Sequence, residues 1–121
     1  RPVQAERERQ QISKEITFDD DLNLAECATY WSGLIDQVWH SLVKKQYVAR
    51  GISVKLKLKN FQVLQHSKSF KQPLESKNDL EKVLQLLLHE MHIPVQDQFR
   101  LIGVGLYQLS PADEQVQLSL L

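Results

Sequence analysis

Three groups of side chains are of the types that chemistry uses. Asp19, Asp20 and Asp21 form a run of carboxylates that could hold a divalent cation such as Mg²⁺. His89 and His92 stand three residues apart, so on a helix both imidazoles could reach one metal ion. Cys27 is the one cysteine of the chain. Each group also has an ordinary structural use. Carboxylates at the start of a helix are favoured by the positive end of its dipole. Zinc normally takes three or four ligands, and no further Cys or His cluster accompanies the two histidines, which suits solvent-side residues near a helix end. Cys27 falls on the apolar side of a predicted helix, as a small core residue does. No G-x-S-x-G, Walker-type or H-E-x-x-H pattern occurs. Gly103-Val104-Gly105 lies inside a predicted strand rather than ahead of a helix, so it is not a nucleotide-binding fingerprint. Glycines there point to close backbone approach by something on an open sheet face. The sequence therefore defines no catalytic residue, no metal site and no cofactor.

Charge is more informative. Fifteen basic and fifteen acidic residues cancel, but they are segregated. From Gln37 to Leu74 there is no Asp or Glu, while the same stretch holds Lys44, Lys45, Arg50, Lys55, Lys57, Lys59, Lys68 and Lys71. The acids gather at Asp19 to Asp21 with Glu26, and at Glu75, Asp79 and Glu81. A basic block in a neutral chain points to a polyanion on one face, or to a solvated lysine-rich hairpin.

The elements that must position these groups follow from apolar spacing. The 121 residues make one domain, large enough to bury roughly two-thirds of its unfolded surface without a metal or disulfide. A single cysteine suits a reducing, cytoplasmic setting. No apolar run approaches the ~18 residues of a membrane helix, and the polar start carries no signal-peptide core. That start also lacks Met, which points to a cut end inside a longer protein.

Residues 1–9 are polar and read as a linker. From Gln11 to Phe18, Ile12, Ile16 and Phe18 alternate with Ser13, Glu15 and Thr17, a half-buried strand with Lys14 as the misfit. Leu24, Ala28, Trp31, Ile35, Val38 and Leu42 then recur at helical spacing, with Gly33 inside, as a close contact there would explain. Ile52, Val54, Leu56 and Leu58 alternate with Ser53, Lys55, Lys57 and Lys59 in the clearest strand. A turn at Lys59-Asn60 leads into a second strand, Phe61 to Phe70, which closes a hairpin and places Phe61 on the core side. Ser76 caps a second helix with Leu80, Val83, Leu84, Leu87 and Met91 inward, stopped by Pro94. A last strand runs from Gln98 to Leu109, with Ile102, Val104 and Leu106 on one face. Pro111 to Glu114 turns the chain away, and Gln115 to Leu121 is a short apolar tail.

The order β-α-β-β-α-β is the split-βαβ arrangement of an α+β, two-layer domain. Two amphipathic helices cover one face of a four-stranded sheet and leave the other open. On the lysine-rich strand that open face holds Ser53, Lys55, Lys57 and Lys59.

In this setting the motifs resemble those of the little-finger (polymerase-associated) domain of Y-family translesion DNA polymerases, of the bacterial DinB type. Arg9 to Phe18 stands where that family shows R-K-S-V-G-x-E-x-T-F, with Gln10 and Gln11 for Lys and Ser. Val54 to Phe61 matches L-K-L-R-Y-x-D-F. Gln65-His66-Ser67-Lys68-Ser69 stands on T-R-S-R-T, and Arg100 to Val104 on R-L-[IV]-G-[VL]. Gln117-Leu118-Ser119-Leu120-Leu121 is similar to the clamp-binding pentapeptide Q-L-[SD]-L-F. A second register, Gln115 with Leu118 and Leu120, matches Q-x-x-L-x-L.

The resemblance implies a division into a linker (1–9), a little-finger domain (10–110) and a clamp-binding tail (111–121). It implies a grip on template-primer double-stranded DNA by Arg9, Gln10, Gln11, Ser13, Lys55, Lys57, His66, Ser67, Lys68, Arg100, Gly103 and Gly105. It implies docking on the beta sliding clamp by Gln115, Gln117, Leu118, Ser119, Leu120 and Leu121, and further contact with other domains of the same polymerase. The parent would be a DNA-directed DNA polymerase of the bacterial cytoplasm, its Mg²⁺ held in a palm domain outside this fragment, and the fragment itself no enzyme. Two other readings share the fold. An RNA-binding ferredoxin-like module shows stacking aromatics on its open face, where here only Tyr107 qualifies. A clamp-binding adaptor would leave the sheet without DNA.

Overall fold

The structure is a computed structural model and describes residues 11–112. Its first strand, β1 (Ile12–Asn23), sends Ile12 and Ile16 to the core and leaves Ser13, Glu15 and Thr17 exposed. Helix α1 (Leu24–Lys44) starts where Asn23 closes a capping box. The Asn23 side chain accepts from the Glu26 amide and the Glu26 carboxylate accepts from the Asn23 amide, both at 2.9 Å, which satisfies two amides that a helix start otherwise leaves unpaired. The helix buries Cys27, Trp31, Leu34, Ile35, Val38 and Leu42. Ala28, assigned to that stripe by spacing, is exposed.

Strand β2 (Tyr47–Leu58) begins five residues before the alternation becomes clean at Ile52, and β3 (Val63–Ser69) returns beside it. Helix α2 (Lys77–Glu90) is capped by the Ser76 hydroxyl, which accepts from the Asp79 amide at 3.2 Å. It buries Leu80, Leu84, Leu87 and Leu88. Strand β4 (Gln98–Pro111) closes the sheet, and the Ala112 amide beyond it donates to the Gln46 carbonyl at 2.8 Å.

The strand order is β1-β4-β2-β3, with each neighbouring pair antiparallel. β4 therefore splits β1 from β2, and β2 splits β3 from β4, so each β-α-β unit straddles one strand of the other. Both helices pack into one cluster with Ile12, Ile52, Val54, Leu56, Phe99, Ile102, Val104 and Leu106. That is the α+β, one-face-covered architecture that the apolar spacing predicts. A salt bridge from Lys77 to Asp36, at 2.7 Å, joins the helices at the surface.

Two further expectations fail. Phe61 does not join the core: the chain reverses there with φ 73°, and its ring is 62% exposed. Nor does Gly33 make a close contact, because a Cβ built on it meets nothing within 4 Å. Gly33 sits on the solvent side of α1, where glycine costs backbone entropy with no return. Gly33→Ala is expected to stabilise the domain by about 0.5–1 kcal/mol, and Leu84→Ala, at a fully buried position, to destabilise it by about 2–5 kcal/mol. Urea unfolding midpoints measure both, and a lowered midpoint for Gly33→Ala would contradict the first.

Candidate nucleic-acid interface

Residues directly opposite each other on neighbouring strands share a face, so the registers spell out the open face row by row. One row crosses all four strands as Ser13, Gly105, Ser53 and Ser67. The next is Glu15, Gly103, Lys55 and Gln65, and the third Thr17, Leu101, Lys57 and Val63. On the other flank Tyr107 lies opposite Gly51 and Gly51 opposite Ser69. The interleaved rows face the helices: Ile12-Leu106-Ile52-Lys68, Lys14-Val104-Val54-His66 and Ile16-Ile102-Leu56-Leu64.

The first two open rows hold no bulky apolar side chain. A shallow cavity of about 140 Å³ opens there, with Ser13, Glu15, Ser53, Lys55 and Gln65 around the two glycines. Both glycines sit close beneath their neighbours, so a side chain at either would crowd the floor. A Cβ on Gly105 would stand 2.9 Å from the Ser53 hydroxyl oxygen, and one on Gly103 would stand 3.1 Å from Cβ of Glu15. Beyond the serines the Tyr107 ring lies on Gly51, where any Cβ would overlap it. The face thus offers hydroxyls, a low floor and two ammonium groups. Lys57 has no ion pair among the described residues, and Lys55 meets Glu15 at 3.7 Å.

Of the residues expected to touch DNA, Ser13, Lys55, Lys57, Ser67, Gly103 and Gly105 come together on this face. Gln11 stands at the edge of the same cavity, just ahead of β1. His66 and Lys68 do not join them. They end the rows that face the helices, and there both hold Glu90 at the end of α2. Lys68 Nζ donates to Glu90 Oε2 at 2.8 Å, and His66 Nε2 lies 2.9 Å from Oε1. The correction follows from period two: along β3 only every second residue shares the face of Ser67. These bonds, first from Lys68 and then from His66, hold the Glu90 carboxyl below its ordinary value. They also offset the cost of an acid at the negative end of a helix dipole.

Arg100 departs from the rows for another reason. Both registers shift around it: Leu101 lies opposite Thr17 and Lys57, but Phe99 lies opposite Leu22 and Leu58. A β-bulge of this kind leaves Arg100 without a ladder partner, and its guanidinium stacks 4.2 Å from the centroid of the exposed Phe61 ring. Arg9, Gln10 and the tail residues Gln115, Gln117, Leu118, Ser119, Leu120 and Leu121 lie outside the described residues.

Sequence reasoning left Glu15, Ser53 and Gln65 out of the DNA-contact set, although it placed Ser53 on the open face. The alternation of β1 and β2 shows the first two outward, but only the register puts them beside Gly103 and Gly105. Asp19, Asp20 and Asp21 lie in the irregular part of β1, ahead of the Asn23 cap rather than in the first helical turn. Among the described residues no three His, Cys, Asp or Glu side chains gather as a metal site would need. His89 and His92 are exposed, with ring centroids 6.2 Å apart. Burial, reinforced by the Glu26 charge, pushes the Cys27 thiol up to about 11, so it stays protonated and unreactive near neutral pH. No helix among the described residues is long and apolar enough to cross a membrane.

Comparison with known proteins places the chain. Residues 9–120 match the model of the impB/mucB/samB family C-terminal domain. The chain is 35% identical over 118 residues to DNA polymerase IV of Neisseria meningitidis serogroup C, covering 98% of this chain and 34% of that protein. It spans about a third of the length of the curated relatives it matches. A post-insertion binary complex of Dbh DNA polymerase shares the fold at TM-score 0.73 and 19% identity, over 85% of this chain and 30% of that one. So does a complex of beta-clamp processivity factor and little finger domain of PolIV, at TM-score 0.65 and 23% identity, over 84% of this chain and 91% of that one.

The depressed Glu90 carboxyl fixes a sign. Its bonds to Lys68 and His66 are intact above the ordinary glutamate range and are lost as pH falls through the lower folded value. Amide exchange along β3 is therefore expected to rise on acidification below about pH 4.3, and Glu90→Gln to remove that part of the acid response. Exchange in β3 that ignores both changes would contradict the pairing.

Proposed function

The chain belongs to the impB/mucB/samB family of C-terminal domains, the little-finger domain of Y-family DNA polymerases, and from that premise we propose that it grips template-primer DNA across its open sheet face. The row Ser13-Gly105-Ser53-Ser67, flanked by Lys55 and Lys57, carries this reading. Serine hydroxyls and lysines bond phosphate oxygens, and such contacts hold a duplex without reading its sequence. A polymerase that copies any template needs that kind of hold. The low floor over Gly103 and Gly105 lets a sugar-phosphate strand approach closely. Among the described residues no row of the face presents the several aromatics on which an RNA-binding sheet stacks bases; of the row residues only Tyr107 is aromatic, its ring against Gly51.

The parent protein, on this proposal, is an error-prone, translesion DNA-directed DNA polymerase of the bacterial cytoplasm, related to the DNA polymerase IV proteins that the chain matches. Its nucleotidyl transfer and Mg²⁺ belong to a palm domain outside this fragment, which contributes grip and contacts to the other domains. The tail from Gln115 to Leu121 docks on the beta sliding clamp. Support comes from its Q-L-S-L-L ending and from the fold shared with a little finger found in complex with such a clamp. A glutamine at the rim and leucines in apolar pockets make a short anchor peptide, and tethering to a clamp on DNA raises local concentration without new template contacts.

Two measurements test this. Anisotropy titrations of a template-primer duplex should show salt-sensitive binding that Lys55→Ala and Lys57→Ala each weaken alike for every sequence. Each should cut the salt slope by about one, and unchanged binding in both would end the DNA reading. Deleting residues 115–121 should abolish binding to a bacterial beta clamp while leaving duplex binding intact. Clamp binding that survives the deletion would remove the tail from the proposal.

A further inference from the structure

Among the described residues, Glu15 is the one acid in the strand rows of the open face. Its partner Lys55 lies two strands away, with β4 between them. Neighbouring strands run about 4.8 Å apart, so these side chains meet only by leaning over the middle strand. Gly103 permits this because it raises no side chain. Glu15 Oε2 and Lys55 Nζ come within 3.7 Å above it, with side chains 52% and 41% exposed. The pair spans the floor of the cavity that Ser13, Ser53 and Gly105 also line.

Resting on the phosphate-gripping reading above, we infer that Glu15 is a built-in competitor for phosphate at Lys55. In the free domain the carboxylate draws the ammonium across Gly103. A phosphate reaching the serine row must first draw the same ammonium away from the Glu15 carboxylate. An exposed ion pair of this length is weak, so DNA displaces it readily but gains less from Lys55 than from an unengaged lysine. The grip is thereby kept loose and quickly reversible, and a sliding enzyme depends on its tether rather than on this face for residence.

The test is a double-mutant cycle on the whole 121-residue chain, read by anisotropy of a fluorescent template-primer duplex. Glu15→Gln, at an exposed position, should bind about two- to five-fold more tightly than the natural chain. Lys55→Met should bind more weakly, and the double variant should match Lys55→Met alone. Glu15→Gln binding no better than the natural chain, or worse, overturns the inference and makes Glu15 a positioning partner. An equal gain in the Lys55→Met background also overturns it, because Glu15 would then act as a diffuse charge. Lys55→Met binding as tightly as the natural chain overturns the inference alone, because Lys57 still carries the grip, whereas a natural chain that binds no duplex takes the phosphate-gripping reading and the inference down together.

Discussion

The antiparallel pairing of β4 with β1 on one side and β2 on the other is the constraint from which the rest follows. It places Gly103 and Gly105 on the midline of the sheet. It brings Ser13 and Ser53 to either side of one glycine, and Glu15 and Lys55 to either side of the other. It also turns Ile102, Val104 and Leu106 toward the helices, where they join the core. A slip of one residue would exchange the two faces. Apolar burial beneath the sheet therefore holds the polar rows above it in place.

Much of this was legible in the sequence because two periods are physical necessities. Side chains on β2 must alternate, and Ile52 to Lys59 shows it plainly. The helical stripes are as clear, and Ser76 marks the start of α2 with a hydroxyl that accepts from an orphan amide, whereas the Asn23 cap of α1 emerged only from the structure. The motifs then pointed to the open face before any geometry was known. Sequence spacing is blind to pairing between strands, however. His66 and Lys68 look like companions of Lys55 along the chain, yet the register ends their rows at Glu90 on the helix side. Phe61 looks apolar and hence buried, but the turn it occupies needs a positive φ and leaves the ring outside. Arg100 depends on a bulge that only the partner strands define.

Zero net charge conceals a sheet with differently charged sides. On the helix side, acids and bases pair: Glu90 with Lys68 and His66, Asp36 with Lys77. On the open side Lys57 has no such partner among the described residues, and Lys55 has a distant one. On the proposed reading a polyanion would find its purchase on the open side, and a modest one. Weak, sequence-blind contact combined with the proposed tethering tail would suit a domain that moves along a template and lets go.

The most direct test of this account is where duplex DNA touches the domain. Amide chemical shifts of the labelled chain, followed during titration with a template-primer duplex, report that contact residue by residue. The account predicts the largest shifts at Ser13, Ser53, Gly103 and Gly105, with little change at Leu84, Leu87 or Leu88 in α2. Shifts concentrated on α1 and α2, with the sheet rows silent, would contradict it.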